Sequence, residues 1–300
     1  MSRAWHVAEE RGSLAAMGLL AWLTVRLGRR ATRWLLHPIC WYFFVTSARA
    51  RRASRAFLGR VLDRPPGSRD VMRHLRTFAT TVHDRVFLVR GECTAFEITT
   101  RGERELAAIL DEGRGCILLG SHLGSFEVLR ALGRLTGKCA VNAVIHEPAA
   151  AKTSHVFSRL APELQGRLIR PGRPDTMLRI KECLERGEPV GILGDRQLGG
   201  AKTLEREFLG TPAPFPIGPL LLAGTLGVPV VMFFGLYLGG AHYEIHFEKL
   251  TDGVLVSREH RIEQAGRWLN RYVERLAHHA RQAPYNWFNF YDFWARPQTA

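Results

Sequence analysis

The pattern of apolar and polar positions changes character at about residue 90. Before that point apolar residues recur at helical spacing, and the stretches 47–62 and 68–88 each gather them on one face. From residue 95 onward, short apolar runs of strand length alternate with helical segments. This alternation predicts an α/β fold with a mostly parallel central sheet flanked by helices. We expect two parts, a helical extension over 1–90 and an α/β domain over 91–300, with no clean linker between them.

The α/β part contains seven predicted strands, and a helical segment separates most of them. The strands are expected at 95–99, 116–119, 140–145, 167–169, 189–193, 228–234 and 243–247. Helices are expected at 103–113, after Gly124, around 149–160, at 175–187 and, last, at 257–280.

Charge adds a second feature to the extension. The net charge is +14, and residues 1–60 hold eleven arginines against Glu9 and Glu10. These arginines alternate with the apolar runs 14–25 and 34–45, which are rich in Leu, Trp and Phe. Arginine beside tryptophan favours an anionic membrane surface over nucleic acid as the partner. The predicted membrane contacts are Trp22, Arg26, Arg29, Arg30, Arg33 and Trp34. A basic helical hairpin packed on the protein's own core stays open as an alternative.

The extension is expected to rest on a membrane without crossing it. Neither apolar run reaches the ~20 residues that a spanning helix needs, and the two joined would carry four arginines through the bilayer. Glu9 and Glu10 stand where a signal peptide would be basic. The five cysteines are scattered, with no C-x-x-C pair. We therefore expect reduced core cysteines, no metal site and a cytoplasmic location against a membrane.

The stretch "CILLGSHLGSFE" (116–127) carries the candidate chemistry. A predicted strand ends at Gly120, His122 follows in a turn, and a helix resumes after Gly124. In open α/β sheets ligands bind beyond the carboxyl ends of the strands, where such turns expose side chains. Glycines at both ends of the turn permit a sharp bend and a close approach by another molecule.

The spacing between His122 and Glu127 restricts how the two can cooperate. Residues five apart on one continuous helix lie about 140° apart, on different faces. The pair can meet only if His122 lies in the turn and Glu127 in the first helical turn. The carboxylate could then fix the imidazole tautomer, leaving the other nitrogen to deprotonate a substrate hydroxyl. A structural role for both residues stays open, as does a hydrolase in which Ser121 or Ser125 is the nucleophile.

A resemblance to a known family rests on several blocks in a fixed order. "GSHLGSFE" is similar to the H-x-x-x-x-D/E block of the lysophospholipid acyltransferase superfamily. The longer series "GSHLGSFEVLRAL", "NAVIHEP", "RPDTMLRIKECLERGEPVGILGDRQ" and "FLGTPAPFPIGPLLLAGTLGVPVV" resembles its lipid A biosynthesis branch. The resemblance runs from about residue 70 to the end, where "YNWFNFYDFW" (285–294) matches the aromatic C-terminal segment of that branch. The superfamily's F-P-E-G-T-R-S block is absent, as it is in this branch.

The resemblance implies transfer of a fatty acyl chain from acyl carrier protein or acyl-CoA to a hydroxyl of a lipid A-type glycolipid. This would take place at the cytoplasmic face of the bacterial inner membrane, without a cofactor beyond the thioester co-substrate. An ornithine, mannosylated or aryl polyene lipid is the alternative acceptor, and a serine-dependent lipid esterase or a non-catalytic membrane-binding protein the alternative class.

Roles for individual residues follow from the same resemblance. His122 would be the general base, Glu127 its orienting acid, and Asp195 an acid close to the pair. Substrate binding is assigned to Arg159, Gly124, Ser125 and, on our own chemical grounds, to Arg196 as a donor to phosphate. The acyl tunnel or its mouth is expected near Phe208, Leu209, Gly210 and Phe215 to Pro219, which could equally be core.

Overall fold

A computed structural model describes residues 14–129, 133, 141–145, 156, 159–197, 201–254, 257 and 259–295. The described part begins at residue 14 with helices and short connections. They are α1 (Leu14–Thr32), a short 3₁₀ helix (Arg33–Leu35), α2 (Leu36–Thr46), α3 (Ala48–Val61) and α4 (Ser68–Val89). Gly28 departs from helical geometry inside α1, with φ at +77°, so α1 bends there.

In the part of the chain that the structure describes, seven strands form the central sheet. They are β1 (Glu97–Arg101), β2 (Ile117–Gly120), β3 (Asn142–Val144), β4 (Leu168–Ile169), β5 (Val190–Leu193), β8 (Val230–Gly239) and β9 (His242–Thr251). Their order across the sheet is β1-β9-β8-β2-β5-β3-β4. Only β8 and β9 pair antiparallel, because a short turn joins them, and the other pairs are parallel. The predicted α/β class with a mostly parallel sheet is confirmed.

Among the described residues, the helices that accompany the sheet include α5 (Glu103–Asp111), α6 (Thr176–Glu185), α7 (Gly218–Leu226) and α8 (Arg261–Gln282). The helix expected around 149–160 lies largely outside the described residues. β2 stands at the centre of the sheet between β8 and β5, so the turn after β2 has a neighbouring strand on each side. Residues that follow β5 and residues of β8 can therefore lie next to the turn after β2, although they are distant in the sequence.

A hairpin that the sequence analysis missed lies apart from the main sheet. Strands β6 (Thr203–Phe208) and β7 (Thr211–Pro216) pair antiparallel across a two-residue turn. Leu209 and Gly210 have φ of +53° and +79°, as a tight hairpin turn requires. Phe208 and Phe215 are fully buried and stack edge-on against each other. The segment expected near an acyl tunnel therefore provides core residues.

The two faces of the sheet carry separate cores, and the N-terminal helices contribute to both. Phe57 and Leu58 of α3 join the core that contains α8 and Trp287. Val86 and Phe87 of α4 join the core that contains α5 and the inner residues of β9. Because α3 and α4 bury apolar side chains on the sheet, this half of the expected extension is integral to the α/β fold.

Candidate active site

The turn after β2 is held tightly against β8. Gly124 has φ of +76°, and a Cβ atom there would lie 1.9 Å from the carbonyl oxygen of Gly235. The backbone N–H of Ser125 donates to that same carbonyl at 2.8 Å. Only glycine allows both the conformation and the close approach. Gly124 is thus required by backbone packing, and its expected contact with substrate stays a prediction.

The other side of the turn is held by the C-terminal segment, which we define as residues 286–289. The N–H of Gly124 donates to the carbonyl of Asn286 at 2.8 Å, and the N–H of Phe288 donates to the carbonyl of His122 at 2.8 Å. These bonds fix the backbone on which the histidine stands. The imidazole therefore has a defined position before any substrate binds.

His122 pairs with Asp195, the second residue after β5. The Nδ1 atom of His122 lies 2.7 Å from Oδ1 of Asp195. The Oδ2 atom of the same carboxylate accepts three further hydrogen bonds, from the N–H of His122 at 3.0 Å, Nε1 of Trp287 at 3.1 Å and Nδ2 of Asn289 at 3.0 Å. An ionised carboxylate only accepts, so Nδ1 of a neutral imidazole must carry its proton.

This arrangement leaves Nε2 of His122 as the acceptor nitrogen of the ring. Within the described part of the chain nothing hydrogen-bonds Nε2, and a quarter of the side chain is exposed. Asp195 by contrast is completely buried. The pair therefore has the geometry of a general base with an orienting acid behind it.

The electrostatics favour an ionised acid and a neutral base. Burial opposes ionisation of Asp195, but the neighbouring His122 and Arg196 and the hydrogen bonds outweigh it and lower its pKa to about 2. Burial and the Arg196 cation lower the pKa of His122, while Asp195 partly opposes the shift. At neutral pH the imidazole is therefore unprotonated and able to accept a proton.

Glu127 lies in the helical turn 126–129 and binds an arginine that the sequence analysis did not single out. Nε and Nη2 of Arg85, on α4, donate to Oε1 of Glu127 at 3.1 and 2.7 Å. The bond to Nδ1 of His122 is made by Asp195. Asp195 therefore has the position that was expected for Glu127, that of the acid that orients the imidazole. The turn directs Nδ1 of His122 toward the end of β5, where Asp195 lies.

The family model of the bacterial lipid A biosynthesis acyltransferases matches residues 1–296. The chain belongs to this family. No curated protein matches the chain. The resemblance seen from about residue 70 onward is confirmed and extends to the N-terminal helices, and membership supports acyltransferase activity on a lipid A-type substrate.

Arg196, one of the expected substrate-binding residues, binds other residues of the protein. Its Nε donates to Oδ1 of Asn289 at 2.5 Å and its Nη2 to the carbonyl of Phe288 at 2.9 Å. Its guanidinium also lies 5.8 Å from the ring centre of Tyr291. These contacts tie Arg196 to the C-terminal segment, and a role as a phosphate donor stays a prediction.

Arg159 lines an open cleft of about 450 Å³ beside α1. The cleft is mainly apolar, with Trp22 and Val25 of α1 on one side and Leu160 on the other, and Arg90 also borders it. Among the described residues, no hydrogen bond or ion pair links Arg159 to the His122–Asp195 pair. Its expected part in substrate binding stays a prediction.

The two local serines are poor candidates for a nucleophile. Ser121 and Ser125 are only 6% and 5% exposed. A buried hydroxyl cannot meet the carbonyl of a lipid substrate without movement of the turn. His122 is the more exposed reactive group here.

One group of side chains has the composition of a metal site. His246 and Glu248 on β9 and His279 on α8 offer ligand atoms within 4.8 Å of one another. These groups already satisfy one another and their neighbours: His279 bonds Glu248 at 2.8 Å, Arg275 binds both oxygens of Glu248, and His246 bonds Glu244 at 2.7 Å. An ion-pair network accounts for the cluster as it stands.

The residues predicted to contact a membrane divide into two sets. Trp22, Arg26, Arg30 and Trp34 are exposed, the two tryptophans by 55% and 74%. Arg29 and Arg33 point inward. Arg29 binds both oxygens of the buried Asp84 at 2.8 Å, and Arg33 donates to Tyr237 Oη at 2.8 Å and to the carbonyl of Gly240. These contacts tie the end of α1 and the 3₁₀ helix after it to α4 and to the turn between β8 and β9, and a membrane contact by either arginine stays a prediction.

Proposed function

We propose that this chain transfers a fatty acyl group from an acyl carrier protein or coenzyme A thioester to a hydroxyl of a lipid A-type glycolipid. The observation that carries the proposal is the His122–Asp195 pair. Its imidazole is anchored through Nδ1 at 2.7 Å while Nε2 has no partner among the described residues. Family membership supplies the reaction class, and the pair supplies a base.

The reaction would proceed in one transfer step. Nε2 of His122 takes the proton of the acceptor hydroxyl as its oxygen attacks the thioester carbonyl. The C–S bond then breaks, and the imidazolium returns the proton to the departing thiolate, giving an ester and a free thiol. Asp195 remains ionised throughout and stabilises the imidazolium. A positioned base of this kind contributes about 10²- to 10⁴-fold in rate.

The cleft beside α1 is the surface that we assign to the lipid. An alkyl chain suits its apolar walls, and Arg159 and Arg90 at its border suit an anionic head group. This assignment keeps Arg159 as a substrate-binding residue. An ornithine, mannosylated or aryl polyene lipid has the same combination of alkyl chains and polar head and is the alternative occupant of the cleft.

We further propose that the protein works at the cytoplasmic face of the inner membrane. The exposed side chains of α1, α2 and the turn between them include Trp22, Trp34, Trp41, Tyr42 and Val45, with Arg26 and Arg30 beside them. Exposed aromatic groups next to arginines suit an anionic bilayer interface. Among the described residues no helix has the length and apolar character needed to cross a bilayer.

A lipid mass-spectrometry comparison would test the proposal directly. Lipids from cells with the wild-type chain, with no chain and with His122→Ala would be compared. We expect a lipid one acyl group heavier only with the wild type, and its fragmentation would identify the chain and the acceptor. A purified assay with matched acyl carrier protein and coenzyme A thioesters would then decide the donor. An added acyl group in the His122→Ala cells would reject the mechanism.

A further inference from the structure

The side-chain amide of Asn289 lies between the cation of Arg196 and the anion of Asp195. Its Oδ1 accepts from Nε of Arg196 at 2.5 Å, and its Nδ2 donates to Oδ2 of Asp195 at 3.0 Å. Arginine can only donate and an ionised carboxylate can only accept, so the orientation of the amide is fixed by its two neighbours. Asn289 is itself buried.

This interposed amide matters because Arg196 and Asp195 are adjacent in sequence. A guanidinium that reached the carboxylate would form a direct, two-pronged ion pair. Such a pair would draw the negative charge of Asp195 away from His122, which depends on it for its tautomer and for stabilisation of the imidazolium. Arg196 is instead bound to Asn289 and to the carbonyl of Phe288, at 2.9 Å.

The same contacts place a defined set of charges around the base. The charges that act on His122 are those of Arg196, Asp195 and Arg85. Arg85 lies on α4 and is itself bound to Glu127. Tyr272 of α8 and Tyr291 after the C-terminal segment border Asp195. Arg196 is thus close enough to bias the imidazole toward its neutral form, yet is separated from the carboxylate that the imidazole uses.

We propose that Asn289 is a positioning residue that keeps Arg196 from pairing with Asp195, and that Arg196 holds His122 in its neutral, proton-accepting form. The C-terminal segment would then tune the base as well as pack against it. This inference rests on the proposed role of His122 in acyl transfer, which it refines by naming two residues that act through the base.

The inference predicts opposite effects for two substitutions. Asn289→Leu removes the amide, allows Arg196 to reach Asp195 and lowers the pKa of His122. Arg196→Met removes the cation and raises that pKa. Shifts of about half a unit or more are expected for a charge at this range. Asn289→Leu also weakens the interaction by which Asp195 orients the imidazole. We therefore expect kcat to fall about 10- to 100-fold, with a smaller change in KM.

The test is a titration that needs no substrate. Histidines labelled with ¹⁵N would be followed by NMR in the full-length protein, and the His122 signals would be identified by their loss in His122→Gln. We expect Nδ1 protonated and Nε2 unprotonated at neutral pH in the wild type, with the two opposite pKa shifts in the variants. Asn270→Leu, an exposed asparagine on α8, is the matched control and should leave the titration unchanged.

The outcomes separate this inference from the proposed function. If Asn289→Leu does not fold, Asn289→Ala removes the amide with a smaller side chain and should lower the pKa of His122 in the same direction, because Arg196 can again reach Asp195. Unchanged or parallel shifts in the Arg196 and Asn289 variants would reject the inference, even if the wild type transfers acyl groups. An inactive wild type with the predicted titrations would reject the proposed function and retain the inference.

Discussion

The inward orientation of Arg29 makes a prediction that the composition of the N-terminal helices would not suggest. Arg29→Met should destabilise the protein strongly, whereas Arg26→Met and Arg30→Met on the same helix should not. Asp84 is completely buried, and Arg29 binds both of its oxygens at 2.8 Å. Tyr243 also donates to Asp84, at 2.9 Å. Methionine keeps much of the arginine's length and removes only its charge and hydrogen bonds.

The magnitude follows from the burial of the partner. Removing one member of a buried ion pair costs about 3 to 5 kcal/mol, because the other charge remains without compensation. Tyr243 still donates to Asp84, and the carboxyl group can take up a proton, so we expect the lower end of that range. Burial raises the pKa of Asp84, but His83 and Arg29 outweigh it in the wild type, and loss of Arg29 should reverse the shift. A change of about 3 kcal/mol corresponds to roughly 5 to 10 °C in Tm.

Thermal unfolding of the three methionine variants in the same detergent would measure this difference. The Arg26 and Arg30 variants should remain within about 0.5 kcal/mol of the wild type, as expected for exposed substitutions. The double variant Arg29→Met/Asp84→Asn should recover part of the lost stability, because no charge is then left buried. Equal Tm values for all three single variants would refute the inward ion pair. A double variant as unstable as the sum of its parts would do the same.

Three further predictions concern the site and the surface. Asp195→Asn should lower kcat by about 10²- to 10⁴-fold. The amide oxygen must face the three donors at Oδ2, so the NH₂ group faces Nδ1 of His122 and imposes the wrong tautomer. A rate near that of the wild type would show that Asp195 does not orient the base. Activity should fall on acidification only below pH 6.5, because burial and Arg196 lower the pKa of His122 and the neutral imidazole is the active form. A half-maximal rate above pH 6.5 would contradict the lowered pKa. Arg26→Gln with Arg30→Gln should weaken binding to anionic vesicles by about 1 kcal/mol per charge and in a salt-dependent way, and loss of duplex DNA binding with vesicle binding intact would overturn the membrane interpretation.

Local patterns in the sequence were sufficient for the framework of the molecule. The apolar runs located the strands of the main sheet, and the glycines around His122 located the turn that presents it. The β6–β7 hairpin was missed, because prolines at 212, 214 and 216 and charged residues at 205–207 obscure its strand pattern. Its turn at Leu209 also uses a positive φ that leucine rarely adopts.

Contacts between distant residues account for what the sequence could not supply. Asp195 lies 73 residues from His122, and Trp287 and Asn289 lie more than 90 residues from Asp195. Short-range spacing offered only Glu127 as a partner for the histidine. Arg29 and Arg26 look alike in the sequence, and only the bend at Gly28 and the position of Asp84 distinguish them. The resemblance to the family predicted that Asp195 lies near the site. Only the fold shows that its carboxylate contacts Nδ1 of His122.

The central claim is that His122 acts as a base for the hydroxyl of a second molecule. The most direct measurement is the initial rate of acyl transfer from a purified acyl-acyl carrier protein to a lipid A precursor in mixed micelles. Wild type, His122→Ala and Ser121→Ala/Ser125→Ala would be compared at equal folded concentration. We predict a loss of at least ~10²-fold for His122→Ala, the low end of general-base effects, and a largely active double serine variant. Full transfer by His122→Ala, or its abolition by the serine substitutions alone, would contradict the account.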